Sequence, residues 1–176
     1  MNKLKAGKLR KTNPSEKDLA QIKRNPIYLV LDEVIDTYNI GSLFRLADAI
    51  GATRMYLCGN MEYPPCSRVH KAAVGTENWV PWTKTDSTVE TIQKLKKEGV
   101  NIVAVEQDKR SIAYSLLPSA LKFPCAIVVG NETNGISKKV LDIADQIVEL
   151  PMYGINNSFN VWGSAAVVAY KILENL

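Results

Sequence analysis

No run in this chain approaches the roughly 20 uninterrupted apolar residues that cross a bilayer, and its first residues, MNKLKAGKLRK, lack the apolar core of a secretory leader. Both absences point to a cytosolic protein. Cysteine is scarce: Cys58, Cys66 and Cys125 are odd in number and show no CxxC spacing. Neither a disulfide framework nor a zinc site is expected, and the thiols are expected to be reduced and mostly buried. Histidine is scarcer still. His70 alone supplies neither a metal cluster nor a histidine-based triad and reads as a surface loop residue, so no metal is expected. The usual nucleotide signatures are missing too, with no GxGxxG after the first apolar run and no GxxxxGK followed by serine or threonine. That argues against a dinucleotide dehydrogenase or a phosphate-loop enzyme.

What is present is a chain of 176 residues, 46% apolar, enough for one domain with a real core and a short appendage. Its net charge of +4 is unevenly spread. Residues 1–26 hold eight Lys/Arg (Lys3, Lys5, Lys8, Arg10, Lys11, Lys17, Lys23, Arg24) against Glu16 and Asp18, a net of +6, which leaves −2 for the rest. A basic arm on a mildly acidic body suits contact with a phosphate backbone; a solvated tail is the alternative. Ser15 and Asp18 predict a short capped helix within the arm.

After the arm, short apolar runs alternate with helical patterns. IYLVLD (27–32), RMYLC (54–58), NIVAVE (101–106), CAIVVG (125–130) and QIVELPM (146–152) read as strands, the longer ones buried on both faces. Between them, IGSLFRLADAIGA and STVETIQKLKKEG have helical spacing, SKKVLDIAD (137–145) opens on a Ser137 cap, and a long helix starts near Asn160. The pattern predicts an α/β fold with a mostly parallel sheet and helices on both faces. Ligands in such sheets bind beyond the carboxyl ends of the strands. The closing helix has a wide apolar face rich in small residues, which fits either a dimer interface or a central core helix.

Three clusters carry candidate chemistry. In the first, Asn39 precedes or opens a helix bearing Arg45; the plain alternative is a cap at Asn39 and a surface pair between Arg45 and Asp48 or Asp36. The second is a strand ending in Gly130, where a ligand would approach the backbone, followed by Asn131, Glu132 and Gly135. There Glu132 would orient a cation or a helix N-terminus. The third, YGINNSFNVW, crowds Asn156, Asn157, Ser158 and Asn160 ahead of an apolar helix that needs only one cap.

In this order the clusters resemble the three motifs of the SpoU/TrmH branch of the SPOUT superfamily, ribose 2′-O-methyltransferases of transfer and ribosomal RNA. The matching residues are Asn39-Ile-Gly-Ser-Leu-Phe-Arg45 with Ala49-Ile-Gly51, Val129-Gly-Asn-Glu132 through Gly135-Ile-Ser137, and Leu150-Pro-Met152 with Ser158-Phe-Asn160. Ala72-Ala-Val-Gly75-Thr76 resembles a further family segment. The third motif departs at Phe159, where leucine is usual, and at Trp162-Gly163.

The resemblance implies a SPOUT domain over 27–176, a C-terminal deep trefoil knot and a homodimer whose active sites draw on both subunits. It implies S-adenosylmethionine bound near Glu106, Gly130, Leu150, Met152, Ser158, Phe159 and Asn160. Arg45 would be the principal catalytic residue, either as the base or, since arginine is almost always protonated, by charge stabilisation of the ribose oxygen and phosphate positioning, the favoured role. Asn39 would hold the arginine or the ribose, Glu132 would orient Arg45, and Ser158 and Asn160 would order the site. RNA would meet Arg45 and the arm residues Lys3, Lys5, Lys8, Arg10 and Lys11, with transfer RNA favoured over ribosomal RNA. The alternatives are a non-catalytic RNA-binding or assembly protein that keeps the fold, and methylation of a base.

Overall fold

The computed structural model describes residues 6–9, 12–117 and 121–176. Two short helices, α1 (Ala6–Leu9) and α2 (Glu16–Ala20), precede the sheet. The predicted capping box forms: Ser15 Oγ accepts from Asp18 N at 3.2 Å, and the Asp18 carboxylate accepts from Ser15 N at 3.1 Å. There follow β1 (Asn25–Asp32), α3 (Thr37–Ala49), β2 (Ala52–Cys58), α4 (Ser67–Ala73), a 3-10 turn (Thr76–Asn78), β3 (Trp82–Thr85) and α5 (Thr88–Lys97). The rest is β4 (Asn101–Val105), β5 (Ile112–Ala113), a 3-10 turn (Tyr114–Leu116), β6 (Cys125–Gly130), α6 (Lys138–Leu141), β7 (Gln146–Glu149) and α7 (Val161–Leu173).

All seven strands pair in parallel, in the order β3-β2-β1-β6-β4-β7-β5. The α/β expectation holds, and the helices do cover both faces. Leu29 and Leu31 of β1 point into a cluster with α3, α4 and α7, whereas Val30 between them joins α5 and α6 on the other side. All of β6 is buried, as its unbroken apolar run requires. Each Leu, Ile or Phe so enclosed contributes roughly 1.5–3 kcal/mol.

Two predicted boundaries need correction. The strand expected over 146–152 ends at Glu149, since Pro151 has no amide to offer a ladder. The helix expected over 137–145 is only Lys138–Leu141, and Ser137 makes no side-chain cap; the chain turns early so that Asp145 N reaches Ile102 O and its carboxylate accepts Ile102 N at 2.8 Å. β3 and β5 were not anticipated.

α3 crosses α4 at very close range. A Cβ on Gly41 would lie 2.5 Å from Ala72 Cβ and 2.6 Å from Val69 O, so glycine is required there. The segment Ala72–Gly75 therefore packs directly under the helix that carries Asn39 and Arg45. Among the described residues no helix is long and apolar enough to cross a membrane.

Candidate active site

The carboxyl ends of β6, β4 and β7 open into a cleft of about 630 Å³. Its wall includes Glu106 after β4, Gly130 at the end of β6 with Asn131 to Thr133 after it, Glu149 at the end of β7 with Leu150 and Met152 after it, and the loop 156–160 leading into α7. Asp36, Glu106, Glu132 and Glu149 line it, and among the described residues no lysine or arginine does. This is a cleft built for a cation or a neutral polar ligand rather than a polyphosphate.

One hydrogen-bonded chain joins the three motif clusters. Glu132 accepts from the backbone N–H of Ile35 and of Asp36, both at 3.0 Å, at the entrance to α3. Its Oε1 also accepts from Asn39 Nδ2 at 2.8 Å. Asn39 Oδ1 in turn accepts from Asn160 Nδ2 at 3.0 Å, while Asn160 Oδ1 caps α7 through Trp162 N at 3.0 Å. Partial desolvation pushes the Glu132 pKa up, but the donors from Asn39, Ile35 and Asp36 prevail and hold its carboxyl below the usual range.

This geometry corrects several expectations. The cap of α3 is Asp36, whose carboxylate accepts from Tyr38 N at 2.8 Å; Asn39 sits inside the first turn, 5% exposed, turned toward Glu132. Within the chain Glu132 therefore holds a helix N-terminus and Asn39, and makes no hydrogen bond or ion pair with its own Arg45. Gly130 does not open backbone to a ligand through its missing side chain: a Cβ there would lie 2.4 Å from Gly135 C and Ile136 N. The following turn fills that space.

Glu106 stitches the cleft floor. Its carboxylate accepts from Gln107 N at 2.9 Å and Ile136 N at 2.8 Å, and a Cβ on Gly135, at φ +67°, would lie 2.4 Å from Glu106 Oε2. Phe159 is 56% exposed, and Ser158 is exposed beside it, its backbone N–H donating to Asn156 Oδ1 at 3.2 Å. All the residues expected around the cofactor thus border one cleft, together with Asn39 and Glu132.

Arg45 does not. Six residues beyond Asn39, it is displaced about 9 Å along α3 and roughly 120° around it, and its side chain is exposed with no ion pair among the described residues. The surface pair with Asp48 or Asp36 is absent; Asp48 accepts from Trp79 Nε1 at 2.6 Å instead. His70 lies not in a loop but in the last turn of α4, with Nδ1 against the buried Glu77 carboxylate. Cys58 and Cys125 are buried and all three cysteines are free; burial pushes the Cys125 thiol up to about 12. Lys3, Lys5, Arg10 and Lys11, and the side chain of Lys8, lie outside the described residues. Among the described residues no cluster of His, Cys, Asp and Glu could hold a metal ion.

The model of the SpoU rRNA Methylase family matches residues 26–170. The chain belongs to this family. Over 164 residues it is 30% identical to the 23S rRNA (guanosine-2′-O-)-methyltransferase RlmB of Haemophilus influenzae, covering 91% of this chain and 65% of that protein. The tRNA (guanosine(18)-2′-O)-methyltransferase of Aquifex aeolicus is 26% identical over 155 residues, 88% of this chain and 72% of that one. An AdoMet-bound rRNA methyltransferase structure from Sinorhizobium meliloti shares the fold, with a TM-score of 0.80 at 24% identity over 96% of this chain and 60% of that one. The SpoU chain described here spans 57–58% of the length of two further curated relatives, so it corresponds to only part of such proteins.

Within this SpoU chain, the sequence assigns no role to two residues that shape the cleft, Gln107 and Asn131. Gln107 Nε2 donates to Asn157 O at 2.6 Å and ties the two loops that face each other across the cleft. Asn131 Oδ1 accepts from Thr133 N at 2.9 Å and Asn134 N at 3.0 Å, an Asx turn that shapes the segment presenting Glu132. Asparagine just after a buried strand was the available signal for the second; nothing local marks the first.

Proposed function

We propose that this chain is an S-adenosylmethionine-dependent methyltransferase acting on a ribose 2′-hydroxyl of RNA, transfer RNA before ribosomal RNA. The observation that carries the reading is the chain Glu132–Asn39–Asn160, which links the three motif clusters at the mouth of one acidic cleft. The names of the relatives from Haemophilus influenzae and Aquifex aeolicus, one acting on ribosomal and one on transfer RNA, agree with it.

The cleft fits the cofactor's chemistry. Among the described residues it offers carboxylates and no cation, and it is bordered by backbone edges around Gly130 and Leu150. Glu106, with its oxygens already taken by two backbone amides, keeps that floor in shape. When bound, S-adenosylmethionine supplies a methyl group activated by positive sulfur. Asn39 and Asn160 hold the mouth of the cleft rigid, so that the ribose oxygen is met in line and water is displaced. Arg45, always charged, stabilises negative charge growing on that oxygen and positions the neighbouring phosphate.

Arg45 points away from the cleft of its own chain, and this supports a homodimer in which each cleft receives Arg45 from a second copy. The exposed Phe159, Trp162 and Tyr170, along the loop and α7, are the apolar surface such a pairing would cover. The same reading includes a trefoil knot, supported by a loop that lines the cleft before α7 returns to pack on α3, β6 and β4. It assigns residues 1–26 to a basic RNA-contacting arm, 27–176 to the methyltransferase domain, and the whole to the cytoplasm.

The test is transfer of labelled methyl from S-adenosylmethionine to separate transfer and ribosomal RNA pools, followed by alkaline hydrolysis. Alkali-resistant label in transfer RNA is expected. Cofactor binding without transfer to either pool would instead favour an RNA-binding protein that keeps the fold.

A further inference from the structure

The sheet face that carries α3 and α4 ends, at its outer edge, on aromatic side chains that the methyl-transfer chemistry does not use. Tyr63, in the connection between β2 and α4, is 39% exposed. Its ring centroid lies 6.4 Å from that of Trp82, the first residue of β3, and Trp82 meets the buried Phe44 of α3 edge-on at 6.3 Å. Two rings anchored in the core thus brace Tyr63 from behind. Lys84 stands two residues beyond Trp82, on the same side of the sheet, with its ammonium 4.4 Å from the Tyr63 centroid.

Lys84 is the cation at this ring, and the neighbouring α4 presents two more to solvent. Arg68 and Lys71 are exposed on α4, and Lys84 is exposed on β3; Glu62, also exposed, is the opposing charge beside Tyr63. None of the three cations forms an ion pair among the described residues, whereas Lys96, Arg110 and Lys171 elsewhere each do. One lysine at a braced, solvent-facing ring, with two further exposed cations on the adjoining helix, matches the needs of a single nucleic-acid strand: an aromatic face stacks any base and the charges take its phosphates. A protein partner would call for a wider apolar patch than one ring among charges.

Parallel strands bring this platform to the same edge of the sheet as the cleft. β3 is three strands from β6, roughly 14 Å away at ordinary strand spacing. A single RNA strand bridges that distance in a few nucleotides. We propose that Tyr63 is a stacking platform for an unpaired base of the substrate RNA, with Lys84, Arg68 and Lys71 holding the phosphates beside it. This rests on the RNA-methyltransferase reading and narrows it, because a stacking platform selects single-stranded loops over duplex.

The experiment measures binding of the full chain, saturated with S-adenosylmethionine, to a fluorescein-labelled single-stranded RNA, to its duplex, and to the same strand carrying abasic sites. Tyr63→Ala should weaken single-strand binding about 5- to 100-fold, Tyr63→Trp should restore it, and wild-type protein should lose the same factor on the abasic strand. Lys84→Gln should lower the salt slope by about 0.7. Unchanged affinity of Tyr63→Ala, an equal loss for Tyr63→Trp, or an equal loss on duplex would overturn the platform. Cofactor affinity, measured alongside, reports folding of each variant. If this binding pattern holds but no RNA is methylated, the enzymatic reading fails and the platform stands.

Discussion

The cleft and the outer face of α3 and α4 are made from neighbouring elements and have opposite character. In the cleft, carboxylates dominate and their oxygens are occupied: Glu132 by two backbone amides and Asn39, Glu106 by two backbone amides. On the outer face, Arg45, Arg68, Lys71 and Lys84 make no ion pair among the described residues and stand in solvent. A knitted acidic pocket suits a cationic or neutral polar ligand held in one geometry, whereas exposed cations on α3, α4 and the adjoining β3 suit an anion that arrives later. α3 belongs to both, with Asn39 turned inward and Arg45 outward, so the proposed reaction would need the two regions joined.

The contrast can be broken most severely at Arg45. Arg45→Ala should reduce methyl transfer about 100- to 1,000-fold while leaving the affinity for S-adenosylmethionine unchanged, read by turnover and by calorimetric titration. Next is the seam between the regions: Gly41→Ala should cost roughly 1–3 kcal/mol in denaturant unfolding, because its Cβ meets backbone and Ala72. Gly163→Ala should cost less, since there the new Cβ meets the movable ring of Phe159.

The cleft side is broken at Glu132. Its carboxyl is held low in the folded state, so its stabilising ties are complete above the ordinary carboxylate range and are lost as pH falls through the depressed value. Wild-type cofactor binding should therefore persist into mild acid, and Glu132→Gln should weaken binding at neutral pH and abolish that acid-side dependence. The smallest effect belongs to the outer face. Arg68→Gln and Lys71→Gln should each lower the salt slope of RNA binding by about 0.7 without moving cofactor affinity.

Much of the cleft was legible beforehand because its elements announce themselves locally. The buried strands are unbroken apolar runs, Ser15 and Asp18 form a box within one turn, and Asn160 lies where a cap belongs. What was not legible depends on distant partners. Asp36 and Asn39 are both cap-forming residues three apart, and only Glu132, 93 residues from Asn39, decides that Asp36 caps while Asn39 turns inward. β3 and β5 are edge strands of four and two residues whose half-exposed sequences carry no period; β2 and β7 impose their pairing. Gly130 read as an opening for a ligand because nothing near it in sequence showed that Gly135 and Ile136 would close against it.

The most direct measurement of the joined-region account uses a purified heterodimer, one subunit carrying Arg45→Ala and the other Asn160→Ala. If Arg45 serves the cleft of the other subunit, one complete site is assembled and the heterodimer should show about half of wild-type methyl transfer to RNA, although each homodimer is nearly inactive. Heterodimer activity no higher than that of the two inactive homodimers would contradict it.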